Sequence, residues 1–124
     1  MIIGLGIDVA SIERMQDSLT RFGDKFWERI LTENERADLA TRADQATALA
    51  GRFAAKEAAA KALGGQPDVW WHSIEVRPNE RGGPQITLLG PALEHAERLG
   101  VRRILVSITH DAGVAAAVVV LDSE

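Results

Sequence analysis

The sequence predicts an α+β fold: one long helix packed on an antiparallel sheet, with additional short helices. Three observations predict it. A β-patterned stretch opens the chain at residues 1–9, helical patterns then run to Leu63, and the chain after Gly65 is mostly β-patterned around a single helix. With 124 residues, 46% hydrophobic and 26% charged, the chain suits one compact domain spanning residues 1–124.

Residues 1–9 read as a strand with Ile3, Leu5 and Ile7 on one face and Ile2, Gly4, Gly6 and Asp8 on the other. Two glycines beside a carboxylate leave room for another group to approach the backbone closely. Asp8 has two readings, a helix N-cap or turn residue on the one hand and a ligand on the other.

Ser11 is placed to cap a helix that runs to Phe22 and stops at Gly23. Arg14, Asp17 and Arg21 lie along one side of it, the pattern of a solvated face. A short helix over 24–31 carries Phe26, Trp27 and Ile30 inward. Thr32-Glu33-Asn34-Glu35 is a capping box that opens a third helix to about Arg42.

Asp44 is expected to cap the long helix, which ends at Leu63 because Gly64-Gly65 enters the left-handed region cheaply. Ala46, Leu49, Ala50, Phe53 and Ala54 share one arc of this helix, and Glu57 and Lys61 fall in the middle of the same arc. Charges in a core-facing stripe are costly unless paired or used. The two form either an i, i+4 pair of about 0.2–0.5 kcal/mol or part of a site.

Beyond Gly65 the composition gives a loop at 66–68, a strand at 69–77, a turn at 78–84 and a strand at 85–89, the two strands forming a hairpin. Pro91 opens and Gly100 closes a helix. A strand at 101–109 leads to the turn His110-Asp111-Ala112-Gly113 and to a last strand at 114–121. That strand is apolar on both faces, so it is central or lies at a subunit interface. His72 and His95 read as strand-surface and helix-surface residues, and Trp70-Trp71 as a packing pair.

The net charge of −4 argues against nucleic-acid binding. The absence of cysteine excludes disulfides, thiolate metal sites and a cysteine nucleophile. The apolar run at 1–7 has no basic residues before it and is too short for a signal peptide or a membrane span, so a cytoplasmic protein without membrane contact is expected. No Walker loop, G-x-S-x-G or H-E-x-x-H is present. What remains is Asp8, Glu57 with Lys61, and His110. Two carboxylates from separate elements suit a hard cation such as Mg2+, and a nearby lysine suits phosphate charge.

Four segments carry a resemblance. They are Gly4-Leu5-Gly6-Ile7-Asp8-Val9 with Ile12-Glu13-Arg14, then Arg52-Phe53-Ala54-Ala55-Lys56-Glu57-Ala58 with Lys61-Ala62-Leu63-Gly64, then Ile74-Glu75-Val76, and last Ser107-Ile108-Thr109-His110. In order and spacing the chain resembles, from end to end, the holo-acyl-carrier-protein synthases, which are short single-copy phosphopantetheinyl transferases. The resemblance implies the small 4′-phosphopantetheinyl transferase fold. It also implies transfer of 4′-phosphopantetheine from coenzyme A to a serine of apo acyl carrier protein, with release of adenosine 3′,5′-bisphosphate.

By the same resemblance Asp8 and Glu57 would ligate Mg2+, and Glu57, directly or through water, would be the base. Lys61 would stabilise the leaving phosphate. Arg52, Lys61, Gly64 and His110 would line the coenzyme A, and Arg14, with Arg21 at i, i+7, would grip the carrier protein. The implied assembly is a homotrimer with intersubunit active sites. The helices over 11–31 carry four basic and four acidic residues, so any docking face for an acidic partner is local. Gly83 stands where the family's turn carries a lysine, and Thr109 where a second serine is common. Two other readings compete. A non-catalytic carrier-protein-binding module predicts a broken acid pair. A Mg2+-dependent nucleotide pyrophosphatase needs neither Arg14 nor a protein acceptor.

Overall fold

The computed structural model describes residues 1–65 and 70–124, so the expected loop at 66–68 and the first residue of the expected strand at 69 lie outside the described residues. The elements are β1 (Ile2–Ser11), α1 (Ile12–Phe22), α2 (Asp24–Ile30), α3 (Glu33–Leu39), α4 (Gln45–Leu63), β2 (Ile74–Pro78), β3 (Pro84–Leu88), α5 (Gly90–Leu99), β4 (Arg103–Asp111) and β5 (Val114–Asp122). Strands β1, β5 and β4 form an antiparallel sheet in that order, and β2 and β3 form a separate hairpin. The α+β prediction therefore holds, and β5 is the central strand.

The first strand turns its small residues inward. Gly6 and Ala10 are buried, whereas Leu5 and Ile7 are 65% and 64% exposed. The reason is the proximity of α4. A Cβ on Gly4 would stand 2.5 Å from the Ala62 carbonyl oxygen, and one on Gly6 would collide with the carbonyl oxygen of Ala58. Glycine is required because the obstacle is backbone, which cannot move aside.

Helix α4 is buried almost all round, on Leu49, Ala50, Ala54, Ala55, Ala58, Ala59, Ala60 and Leu63. Alanine makes this possible, since short side chains let the helix lie close to β1, β5 and α1 together. The expected arc is corrected accordingly. Glu57 is only half-buried and Lys61 is exposed, while Lys56, which the arc left outside, is fully buried. Its ammonium donates to Glu35 Oε1 at 2.7 Å and to the carbonyl oxygens of Trp71 and Ile74, both at 2.6 Å. Glu35 Oε2 accepts from the Val76 amide at 2.7 Å. Burial pushes the Lys56 ammonium below its usual range, with Glu35 opposing that shift.

The caps of the short helices follow the sequence. Ser11 Oγ accepts from the Arg14 amide at 3.2 Å, and Gly23 ends α1 at φ 57°. The capping box at Thr32 and Glu35 has both of its bonds. Helix α3 nevertheless stops at Leu39, short of Arg42, because the Gln45 side chain donates to the carbonyl oxygens of Leu39 and Ala40 at 3.1 and 3.3 Å. Asp44 does not cap α4 with its side chain. Its carboxylate instead takes a two-pronged bond from Arg42 at 2.7 and 2.8 Å.

The strand expected at 69–77 begins only at Ile74. The Ser73 amide donates to the Trp70 carbonyl at 2.9 Å and closes a turn, and the Trp71 carbonyl is committed to Lys56. Trp70 and Trp71 are buried, and Trp71 stacks on Phe53 with ring centroids 5.1 Å apart, so packing is their role. His95 is half-buried rather than on the surface, with Nε2 2.7 Å from the Leu63 carbonyl oxygen at the end of α4. His72 is exposed, in the turn rather than in a strand. No helix among the described residues is long and apolar enough to cross a membrane.

Candidate active site

Asp8 projects from the glycine face of β1 toward α4, and Lys61 meets it from the last turns of that helix. The lysine donates to Asp8 Oδ1 at 2.9 Å and to the Ile7 carbonyl oxygen at 3.1 Å. The Lys61 side chain is 53% exposed and that of Asp8 15%, so the pair lies at the surface with the acid recessed. The bond it donates to Asp8 raises the Lys61 ammonium above its usual range, and the charge of Glu57, one turn earlier on α4, acts in the same direction. Asp8 is neither a cap nor a turn residue, since β1 continues to Ser11 and Ser11 makes the cap.

Arg52 and His110 belong to a second locus. They share a cavity of about 240 Å³ with Asp38, Arg42, Asp44 and Arg77, and neither Asp8, Glu57 nor Lys61 lines it. Burial works against the Arg52 charge, which the nearby acid Glu35 offsets in part. Its Nε is buried with no hydrogen-bond partner among the described residues. Arg42 and Arg77 are tied to carboxylates, Arg77 to Asp38 at 2.9 and 3.0 Å. His110 lies inside β4, opposite Ala115, and not in the turn. The turn is two residues long, Ala112 and Gly113, both at positive φ as a primed hairpin turn requires, and this extends the ladder through Asp111.

The match to known proteins covers nearly the whole chain. The family model described as the 4′-phosphopantetheinyl transferase superfamily matches residues 4–119. The chain belongs to that superfamily. It is 52% identical to the holo-[acyl-carrier-protein] synthase of Solidesulfovibrio magneticus, over 98% of this chain and 99% of the relative. Its fold superposes on the crystal structure of holo-[acyl-carrier-protein] synthase from Neisseria meningitidis with a TM-score of 0.89 at 34% identity, covering 98% and 99% of the two chains. The Helicobacter pylori holo-[acyl-carrier-protein] synthase in complex with coenzyme A gives 0.82 at 34% identity, covering 95% and 99%.

Arg14 and Arg21 sit apart from both loci. Arg14 and Arg21 line a groove of about 370 Å³ with Met15, Phe22, Phe26 and Phe53, and the Arg21 guanidinium lies 5.3 Å over the Phe22 ring. Gly64 is the left-handed cap of α4 at φ 73°. Within the chain, then, the sequence-predicted residues form three groups: Asp8 with Lys61, Glu57 and the helix cap Gly64, Arg52 with His110, and Arg14 with Arg21. Sequence reasoning missed Arg42, Arg77, Asp38 and Asp44 around the second cavity. Asp38, Arg42 and Asp44 come from the end of α3 and the connection to α4, whereas Arg77 comes from β2, and no spacing rule predicts that these two stretches meet.

Proposed function

We propose that Asp8, Glu57 and Lys61 carry out the chemistry of this transferase. The enzyme moves the 4′-phosphopantetheine arm of coenzyme A onto a serine of apo acyl carrier protein and releases adenosine 3′,5′-bisphosphate. The observation that carries the site assignment is the bond from Lys61 to Asp8. It joins residues 53 positions apart in the chain, on a helix seated against glycine backbone.

The donor set fits Mg2+. The Asp8 carboxylate and the Ile7 carbonyl oxygen, both hard oxygen donors, hold the Lys61 ammonium as a stand-in cation, and the Glu57 charge acts on it from one turn earlier on α4. Among the described residues no group of three or more acids or histidines could hold a metal, so Asp8 and Glu57 would leave the remaining positions to water and diphosphate. Bound there, Mg2+ supplies neutralisation of the diphosphate charge. Glu57 takes the proton from the carrier serine, whose hydroxyl is weakly nucleophilic at neutral pH. The serine oxygen bonds to the phosphorus that bears the pantetheine arm, and the bond from that phosphorus to the nucleotide oxygen breaks. Lys61 holds the oxygen that leaves with the nucleotide, since an ammonium is charged at neutral pH and meets the negative charge that grows there.

Arg52 and His110 would take the nucleotide end of coenzyme A. A half-buried guanidinium whose Nε is buried without a partner among the described residues gains from a phosphate oxygen. Arg14 and Arg21, beside the exposed Phe22, would grip the acidic carrier protein.

The separation of the two loci supports a homotrimer in which one subunit completes the site of the next. So does the outer face of the three-stranded sheet. There Leu5 and Leu105 flank Val120, and Ile7 lies beside Val118, as an exposed apolar surface. Incubation with coenzyme A, Mg2+ and apo carrier protein tests the function by the mass of the carrier, which should rise by one phosphopantetheine. Coenzyme A cleaved with the carrier unchanged would indicate the pyrophosphatase, and neither changed the binding module.

A further inference from the structure

Resting on the metal reading above, we propose that Lys61 is the resting occupant of the cation site, so that divalent ion and coenzyme A load together. The Lys61 ammonium sits between Asp8 Oδ1 at 2.9 Å and the Ile7 carbonyl oxygen at 3.1 Å, two oxygens of the kind a divalent ion takes. It reaches them from the surface, with the side chain 53% exposed, so it can leave without repacking the core. An ion that takes Asp8 Oδ1 and the Ile7 carbonyl oxygen stands where the ammonium stands, and the two cations repel at contact distance.

An arriving ion must therefore displace the lysine, and the displaced ammonium needs a new anion. The diphosphate of coenzyme A is one. It gives the lysine a partner and the ion further oxygen ligands, so each substrate lowers the barrier that Lys61 sets against the other. Such coupling is reciprocal. Lys61 would then have two stations, Asp8 before loading and the substrate phosphate after it. The metal-free enzyme would keep its acid pocket neutralised and have little affinity for a lone ion.

The test is Mn2+ binding to the full chain, followed by electron paramagnetic resonance with and without coenzyme A, for wild type, Lys61→Met and Asp8→Asn. An exposed ion pair of this kind corresponds to up to about a five-fold change in affinity. We expect Lys61→Met to bind Mn2+ alone roughly three- to five-fold more tightly than wild type. The factor by which coenzyme A tightens Mn2+ binding should shrink by at least as much, and Asp8→Asn should bind weakly throughout. Equal or weaker binding of Mn2+ alone by Lys61→Met overturns the proposal. So does tighter binding with undiminished coupling, which would show a distant field effect rather than displacement. If wild type fails to bind Mn2+ even with coenzyme A, or Asp8→Asn binds as wild type does, the metal reading falls and this proposal with it. That outcome is distinct from a wild type that binds while Lys61→Met behaves identically. Circular dichroism on each variant establishes that it is folded.

Discussion

Lys56 and Lys61 stand five residues apart on the same helix, and the fold puts them to opposite uses. Lys56 is wholly buried, with its ammonium shared among Glu35 and two backbone carbonyls from the segment leading into β2. Lys61 is 53% exposed and holds one recessed acid and one carbonyl oxygen of β1. The difference is one of surroundings. A lysine with every donor satisfied in a dry site fixes elements to one another and has no freedom to meet a substrate. A lysine bonded at the surface can exchange partners. Burial lowers the pKa of the first, and the bond to Asp8 raises that of the second. The inner pair joins α4 to α3 and to the start of β2, and the outer pair joins α4 to β1.

The sharpest test of the contrast is to disable each end separately. Glu57→Gln should lower the transfer rate by about 10²–10⁴-fold, the range for losing a proton-transfer group, and leave the urea unfolding midpoint near wild type. Near-normal turnover with Mg2+ would remove Glu57 from the chemistry. Lys56→Met should do the reverse. It leaves the Glu35 carboxylate buried without its cation, which destabilises by about 3–5 kcal/mol in urea unfolding. The double variant Lys56→Met with Glu35→Gln should recover part of the loss, since no buried charge is then stranded and the amide oxygen still accepts a backbone N–H. A Lys56→Met protein as stable as wild type would mean that the buried pair holds nothing together.

Gly6→Ala probes the contact that joins the two regions. The added methyl meets the Ala58 carbonyl, so β1 and α4 must part, at roughly 1–3 kcal/mol of stability. Turnover should fall as well, because Asp8 rides on the strand and Glu57 on the helix. A loss of stability with kcat unchanged would separate packing from chemistry here.

The smallest effect is expected from a third pair, Asp38 with Arg77, part-exposed beside the Arg52 cavity. The Arg77 bond holds the Asp38 carboxyl below its usual range. Its stabilising contribution is thus complete above the unfolded value of about 3.9 and is lost as pH falls through the lower folded value. Unfolding followed below about pH 4 should show a shallower acid decline for Asp38→Asn than for wild type. Identical acid limbs would show that the pair is solvated away.

Much of the proposed site was legible in the sequence. Asp8 after two glycines, and Glu57 and Lys61 one turn apart, stood out because glycine and charge are unusual in those patterns. The structure pairs Asp8 with Lys61. The glycines do admit α4. Local signals also gave the Ser11 cap, the Thr32–Glu35 box and the Gly64 and Gly100 stops, since each depends on a few neighbouring atoms. The errors came where distant groups compete. Gln45 took the end of α3, Arg42 took the Asp44 carboxylate, and Lys56 drew the Trp71 carbonyl out of the expected strand.

By itself the sequence determined the order of elements, those helix ends that a local cap or glycine sets, and the presence of two acids and a lysine suited to a cation and a phosphate. Tertiary structure decided which lysine is buried, which face of β1 turns outward, and that Arg52 and His110 gather away from Asp8. The physical reason lies in α4. Alanine is too nearly neutral to mark an inner side, so burial along this helix is set by what packs against it from other parts of the chain.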